Sequence, residues 1–151
     1  MTQATRLAVI GAGAIGRTHI DRLQRSPTLE LVGIADPTPA GEALARSLNA
    51  PWFADHRSLL EQLKPQGAIV ATPNASHIPV ALDCLERGVA ALVEKPVADS
   101  VAEAQLLVDA QARTGVPVLV GHHRRHNPIN RRNRARSNPW PMPAARPMRF
   151  R

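Results

Sequence analysis

Five short clusters in this 151-residue chain hold the residues best suited to chemistry. The first is GAGAIG, where Gly11, Gly13 and Gly16 have the spacing G-x-G-x-x-G. Each glycine of that pattern meets a separate need. Gly11 permits a tight turn, Gly13 lets backbone approach a pyrophosphate, and Gly16 lets a helix pack closely on a strand. The amides around Ala14 and Ile15 then open a helix, whose unpaired N–H groups and dipole attract phosphate. The second is Asp36, 20 residues beyond Gly16, a carboxylate placed to accept hydrogen bonds from a ribose hydroxyl. Pro37 follows it rather than a cation, so a 2′-phosphate would meet uncompensated negative charge. NAD is therefore favoured over NADP. The plain structural alternative is a glycine turn with an N-capping Asp.

The third cluster is TPNASH, with Thr72, Pro73, Asn74 and His77. These residues suit either a ligand rim or the capping of a following helix. The fourth is EKP, where Glu94 and Lys95 follow an apolar run and Pro96 holds Lys95 to extended backbone. A solvated ion pair is the alternative. The fifth is GHHRRHNP, residues 121–128. His122 and His126, spaced i, i+4 with His123 between them, invite a metal reading. Pro128 argues against the helix it needs and no carboxylate completes the set, so no metal is expected.

These clusters need elements to hold them. Short apolar runs at 6–10, 29–36, 67–72, 89–93 and 116–120 read as buried parallel strands. Residues 51–53 suggest a further short strand, and 56–64 a helix ended by Pro65. Ile78, Ala81, Leu82 and Leu85 have helical spacing, as do Val101, Ala104 and Val108. Thr38 before Pro39 predicts a helix start, Ser100 with Glu103 a capping box, and Gly88 and Gly115 helix ends. The alternation implies an α/β, Rossmann-type doubly wound parallel sheet with right-handed crossovers. All five clusters then follow different strands at their carboxyl ends, which is the ligand crevice of such a sheet. His19, four residues from both Ile15 and Leu23, reads as a hydrogen-bonded core histidine. Cys84 reads as a small buried apolar group.

Charge is unevenly spread. Residues 1–121 carry 12 acidic and 10 basic side chains, a net −2, whereas 122–151 carry nine arginines and no acid. A domain over 1–128 and a disordered Pro/Arg-rich tail over 129–151 are expected. The tail has only Trp140 and Phe150 to stack on bases, so it predicts at most non-specific nucleic-acid contact. One cysteine allows no internal disulfide and fits a reducing cytoplasm. No apolar run reaches membrane-span length, and the glycines of LAVIGAGAIG argue against a signal peptide.

GAGAIGRTH, the strand-end Asp36, TPNASH, EKP and GHHRRHNP, in that order over about residues 5–128, resemble the N-terminal half of the Gfo/Idh/MocA oxidoreductases. The resemblance implies a nicotinamide-dependent enzyme that moves a hydride to or from a sugar or polyol. By position, Gly11, Gly13, Ala14, Ile15 and Gly16 would cradle the pyrophosphate and Asp36 the adenosine ribose. Thr72, Pro73, Asn74 and His77 would lie along the cofactor. Glu94 and Lys95 would border the nicotinamide ribose, with Lys95 catalytic, polarising the reacting oxygen or relaying a proton. His122 and Arg125 would stand on the substrate side. The family also implies a second open-sheet domain of roughly 150–250 residues. That domain binds substrate, forms the usual homo-oligomer and supplies an Asp or Lys and a His as acid/base groups. Past Pro128 the sequence instead runs RRNRARSNPWPMPAARPMRFR, with no apolar face. A truncated member is expected, off-pattern from 129 as a shifted reading frame would make it, and poorly active alone. A non-catalytic dinucleotide-binding module is the alternative.

Overall fold

A computed structural model describes residues 3–121 of the chain. Six parallel strands form one sheet: β1 (Thr5–Ile10), β2 (Leu29–Ala35), β3 (Trp52–Phe53), β4 (Gly67–Val70), β5 (Ala90–Val93) and β6 (Val118–Val120). Their spatial order is β3-β2-β1-β4-β5-β6. The chain steps outward from β1 to β3 and then returns to β4 on the other side of β1. The strand order therefore reverses between β1 and β4, and a crevice opens beyond their carboxyl ends.

Helices cover both faces. α1 (Ala14–Gln24) and α2 (Pro39–Ser47) bury Ile20, Leu23 and Ala45 against Val9, Ile34 and Ile69. On the other face, α3 (His56–Leu63), α4 (His77–Glu86) and α5 (Val101–Thr114) pack Leu59, Ile78, Leu85 and Leu107 on Ala8, Val70 and Val93. A β-bulge decides which β2 residues face which layer. Leu7 pairs with Leu31 and Ala8 with Gly33, so Val32 is the extra residue. A one-residue slip reverses the side-chain faces beyond it. Leu31 accordingly packs with the α1–α2 layer, whereas Val32 and Ala35 pack with the α3–α5 layer.

The helix ends follow local chemistry. Thr38 caps α2 by accepting the Gly41 amide at 3.1 Å, with Pro39 as the first helical residue. Asp55 caps α3 through the Ser58 amide at 2.9 Å. Ser100 accepts the Glu103 amide at 3.2 Å, while Glu103 reaches back to the amide of Asp99, one residue before the usual partner. Arg6 closes the other end of α3 by donating to the carbonyls of Leu63 and Lys64.

α5 forms as the spacing of Val101, Ala104 and Val108 predicts, but those residues are not its inward face, and Ala104 is only half-buried. Val101 is 87% exposed and Val108 is also exposed; the helix turns Leu107 and Ala110 inward on the side where it packs against α4. The run 116–120 is not a buried strand either. Only 118–120 pair, on one side, and Leu119 is 47% exposed because α1 and α2 do not extend over it.

Gly88 follows α4 with φ +72°, and open space surrounds the position of a would-be Cβ. Backbone conformation alone therefore demands glycine there. Gly88→Ala should cost about 1 kcal/mol, measured by urea unfolding, with the fold retained.

Candidate functional site

Because every strand is parallel, the segments that follow them lie on one edge. Gly11 succeeds β1, Asp36 β2, Thr72 β4, Glu94 β5 and Gly121 β6. Backbone bonds join these segments across the edge: Gly11 N–H to Ala35 O at 2.8 Å, Ala71 N–H to Ile10 O at 2.8 Å, Glu94 N–H to Val70 O at 3.0 Å, and Gly121 N–H to Val93 O at 2.8 Å. Four of the five clusters, and Gly121 from the fifth, are thereby brought together. His122, Arg125 and the metal reading of His122, His123 and His126 lie outside the described residues.

The three loop glycines differ in what surrounds them. Gly11 has φ +94°, and a Cβ there would fall 2.5 Å from the Ala71 carbonyl oxygen. A Cβ on Gly16 would fall 1.9 Å from the Gly11 carbonyl oxygen. Both glycines are required by the chain itself. Gly13 is extended, with φ −67° and ψ −170°, and a Cβ on it would meet nothing within 4 Å. Gly13 is also the N-cap of α1, without a side-chain cap and without an acid in the first turn. Gly13, Ala14 and Ile15 are all exposed. The open end of α1 is the kind of surface that receives an anion.

Asp36 is only 8% exposed. Its Oδ2 accepts the Ala12 amide at 2.7 Å, and Oδ1 accepts the amide and hydroxyl of Thr38. The N-cap of α2 is Thr38, so the capping alternative for Asp36 fails. Burial alone would raise the carboxyl pKa. The Thr38 hydroxyl, the amides of Ala12 and Thr38, and the charge of Arg17 outweigh it and hold the group below its ordinary value. Gly41 makes room, since a Cβ there would lie 2.5–2.6 Å from Asp36 side-chain atoms. A carboxylate has about four acceptor sites; the described residues use three, and leave one on Oδ2.

Beyond β4, Asn74–Ser76 form one turn of 3-10 helix leading into α4. Neither that turn nor α4 has a side-chain cap, so the capping alternative for TPNASH fails as well. The Thr72 hydroxyl is buried and lacks a hydrogen-bond partner among the described residues. Pro73 and Asn74 are exposed. His77 corrects an expectation. It is 1% exposed, and its Nδ1 and Nε2 each lie 2.8 Å from a carbonyl oxygen, of Pro96 and Thr72 respectively. Both ring nitrogens face backbone carbonyls, to either of which a ring N–H can donate, so the ring sits between the loops after β4 and β5 and turns neither nitrogen to the crevice.

After β5, Glu94 is half-buried and Lys95 exposed, so they are not the solvated pair of the alternative reading. Glu94 Oε1 lies 2.7 Å from His19 Nε2. Burial would raise the Glu94 pKa, but the His19 hydrogen bond, the Lys95 amide and neighbouring positive charge lower it overall. His19 is thus part of this edge rather than a core residue. Its helical spacing showed which way it points but not that a strand-end carboxylate awaits it. Cys84 is buried, with its thiol pushed up to about 12, chiefly by desolvation. A groove lined by Leu60, Lys64, Pro65 and Arg87 sits at the opposite edge and gathers none of these residues. Among the described residues no His, Cys, Asp and Glu group could hold a metal, and no helix is long and apolar enough to cross a membrane.

Residues 5–122 match the model of the oxidoreductase family with an NAD-binding Rossmann fold, the Gfo/Idh/MocA family, and the chain belongs to it. It is 33% identical to the inositol 2-dehydrogenase of Rubrobacter xylanophilus over 125 residues, covering 81% of this chain and 36% of that protein. It is 34% identical to the 4-carboxy-2-hydroxymuconate-6-semialdehyde dehydrogenase of a Sphingobium species, covering 82% and 40%. The WlbA dehydrogenase of Bordetella pertussis, solved with NADH and UDP-GlcNAcA, superposes with a TM-score of 0.84 at 26% identity, over 88% of this chain and 41% of that one. GenD2 from gentamicin A biosynthesis, solved with NAD, gives 0.83 at 29%, over 89% and 39%. The chain spans about two fifths of the length of these relatives.

Because folding lowers the Asp36 pKa, its stabilisation is complete above the unfolded value of about 3.9 and fades as pH falls through the lower folded value. Asp36→Asn turns an acceptor into a donor that must face either Ala12 or Thr38. It should cost about 1–3 kcal/mol at pH 7. Urea titrations should show the gap to wild type narrowing below about pH 4.

Proposed function

We propose that this chain is the nucleotide-binding half of an NAD-dependent oxidoreductase acting on a sugar, polyol or related hydroxyl or carbonyl group. The observation that carries the reading is the contrast among the glycines. The fold requires Gly11 and Gly16, whereas open space lies where a Gly13 side chain would be. A capping Ser or Asp at that position would stabilise α1 better than glycine does. Glycine there leaves amides bare and the approach open, which suits a diphosphate. The residues fit NAD. Gly13, Ala14 and Ile15 would receive the pyrophosphate, and the free acceptor site of Asp36 a ribose hydroxyl. The carboxylate, with Pro37 beside it, disfavours the extra phosphate of NADP. Thr72, Pro73 and Asn74 would border the cofactor where the sheet order reverses.

Bound there, NAD supplies the hydride acceptor. Lys95, exposed at the end of β5, would donate a hydrogen bond to the reacting oxygen and stabilise the charge that develops on it. His122 and Arg125 would continue that wall. We place the domain boundary near residue 128, with the basic stretch 129–151 outside it. The single cysteine, buried and chemically inert, suits a cytoplasmic setting, and family precedent suits a homo-oligomer.

Gly13→Ala is the decisive variant. It should leave urea stability within about 0.5 kcal/mol of wild type, because its Cβ has room and its backbone needs no glycine. It should weaken NAD binding about tenfold or more in calorimetric titration, a loss of at least ~1.4 kcal/mol. Unchanged NAD affinity in a folded Gly13→Ala protein would reject the site.

A further inference from the structure

The proposed function gives no role to His19 or His77, and each is bonded to a neighbour of Lys95. His19 is on α1, one turn beyond Ile15, and holds the Glu94 carboxylate at 2.7 Å. His77 opens α4 and holds the Pro96 carbonyl at 2.8 Å. The two helices lie on opposite faces of the sheet. The residue before Lys95 is therefore fixed from one layer and the residue after it from the other.

Glu94 is confined on further sides. Its Oε2 accepts the Lys95 amide at 3.2 Å. A Cβ on Gly121 would come within 2.8–3.0 Å of its carboxyl atoms, so only glycine leaves the carboxylate that place. The carboxylate adjacent to Lys95 in sequence is thus turned onto His19 and the backbone. The Lys95 side chain is exposed and forms no ion pair among the described residues. A Glu94 free to rotate would compete for that ammonium. An exposed pair of this kind is weak, yet strong enough to redirect a flexible lysine from a substrate oxygen, where misplacement is costly.

We propose that His19 is a positioning residue for Lys95. By holding Glu94, with His77 anchoring Pro96 on the far side, it sets the backbone of Lys95 and keeps its ammonium free for the reacting oxygen. This rests on the reading of Lys95 given above, and it can be tested apart from it. The chain has only two lysines, Lys64 and Lys95. Reductive methylation of the full chain with 13C-formaldehyde gives one NMR signal for each, besides that of the N-terminus. Lys64, at the C-cap of α3 on the opposite edge of the sheet, serves as internal control.

His19→Ala should displace the Lys95 signal, leave that of Lys64 in place, and weaken NAD binding by about fivefold, the scale of one partly exposed charged contact. His19→Gln, which keeps an N–H donor, should restore both. In a Glu94→Ala background, His19→Ala should add nothing, because its route to Lys95 is gone. Gly121→Ala, which pushes the carboxylate aside at small structural cost, should displace the Lys95 signal with His19 intact. The proposal is overturned if His19→Ala leaves the Lys95 signal unmoved, moves both lysines alike, or adds to Glu94→Ala. If His19→Ala does not fold, Gly121→Ala decides the matter: an unmoved Lys95 signal rejects the mechanism. Absence of NAD binding in the wild-type chain would sink the proposed function instead, while the lysine signals would still judge His19.

Discussion

The site rests on one close approach, where α1 begins against the turn after β1. Gly16 sits so near the Gly11 carbonyl that a single methyl group could not be inserted, and a methyl on Gly11 would likewise fall within 2.5–2.8 Å of Ala71 and Thr72 backbone. Two strand ends and a helix start thus meet with only backbone between them. Side chains at either position would separate α1 from β1 and β1 from the segment after β4. The crevice at the reversal of strand order exists because these three pieces touch. Ala12, between the two glycines, is drawn in with them and presents its amide to Asp36.

Polar groups then lock the edge in place. Asp36 ties the glycine turn to the start of α2, and Trp52 donates its indole N–H to the Asp36 carbonyl at 2.9 Å. His77 ties the segment after β4 to that after β5, and His19 ties α1 to β5. Buried polar groups are costly when unpaired and stiffening when paired. A loop edge held by such bonds keeps its groups aligned before a ligand arrives, which lowers the ordering cost of binding. The Thr72 hydroxyl, buried at this edge and without a partner among the described residues, is the exception, and it lies where the cofactor is proposed to pass.

Much of this was legible in the sequence for identifiable reasons. Strands and helices announced themselves by apolar period, and Thr38, Ser100, Gly88 and Gly115 marked helix ends because capping is local chemistry. The convergence of the clusters followed from parallel strands alone. What stayed hidden was what depends on contacts between distant elements. The bulge at Val32 is a property of strand pairing and leaves no mark in LELVGIAD. The inward face of α5 is not marked by spacing, because Val101 and Val108 are as apolar as the Leu107 and Ala110 that the helix buries. His77 looked like a ligand-facing residue of TPNASH, and only the position of Pro96, 19 residues away, turns it inward. His19 and Glu94 are 75 residues apart, so no local pattern could pair them.

The pairing of His19 with Glu94 gives α1 two tasks at once. Its first turn offers bare amides at the proposed phosphate end of the crevice, and its second turn reaches the segment that carries Lys95. An α-helix is stiff over this length, and α1 is pinned by Gly16 at its start and by Ile20 and Leu23 in the core. The spacing between the first turn of α1 and the lysine segment is therefore set by a rigid body rather than by a loop. A nucleotide seated on the amides of α1 would be registered, through the same helix, against the segment that carries Lys95, the residue proposed to meet its reactive end. That shared strut is the physical basis for proposing that a histidine just beyond the glycine turn matters to a lysine on the other side of the switch point.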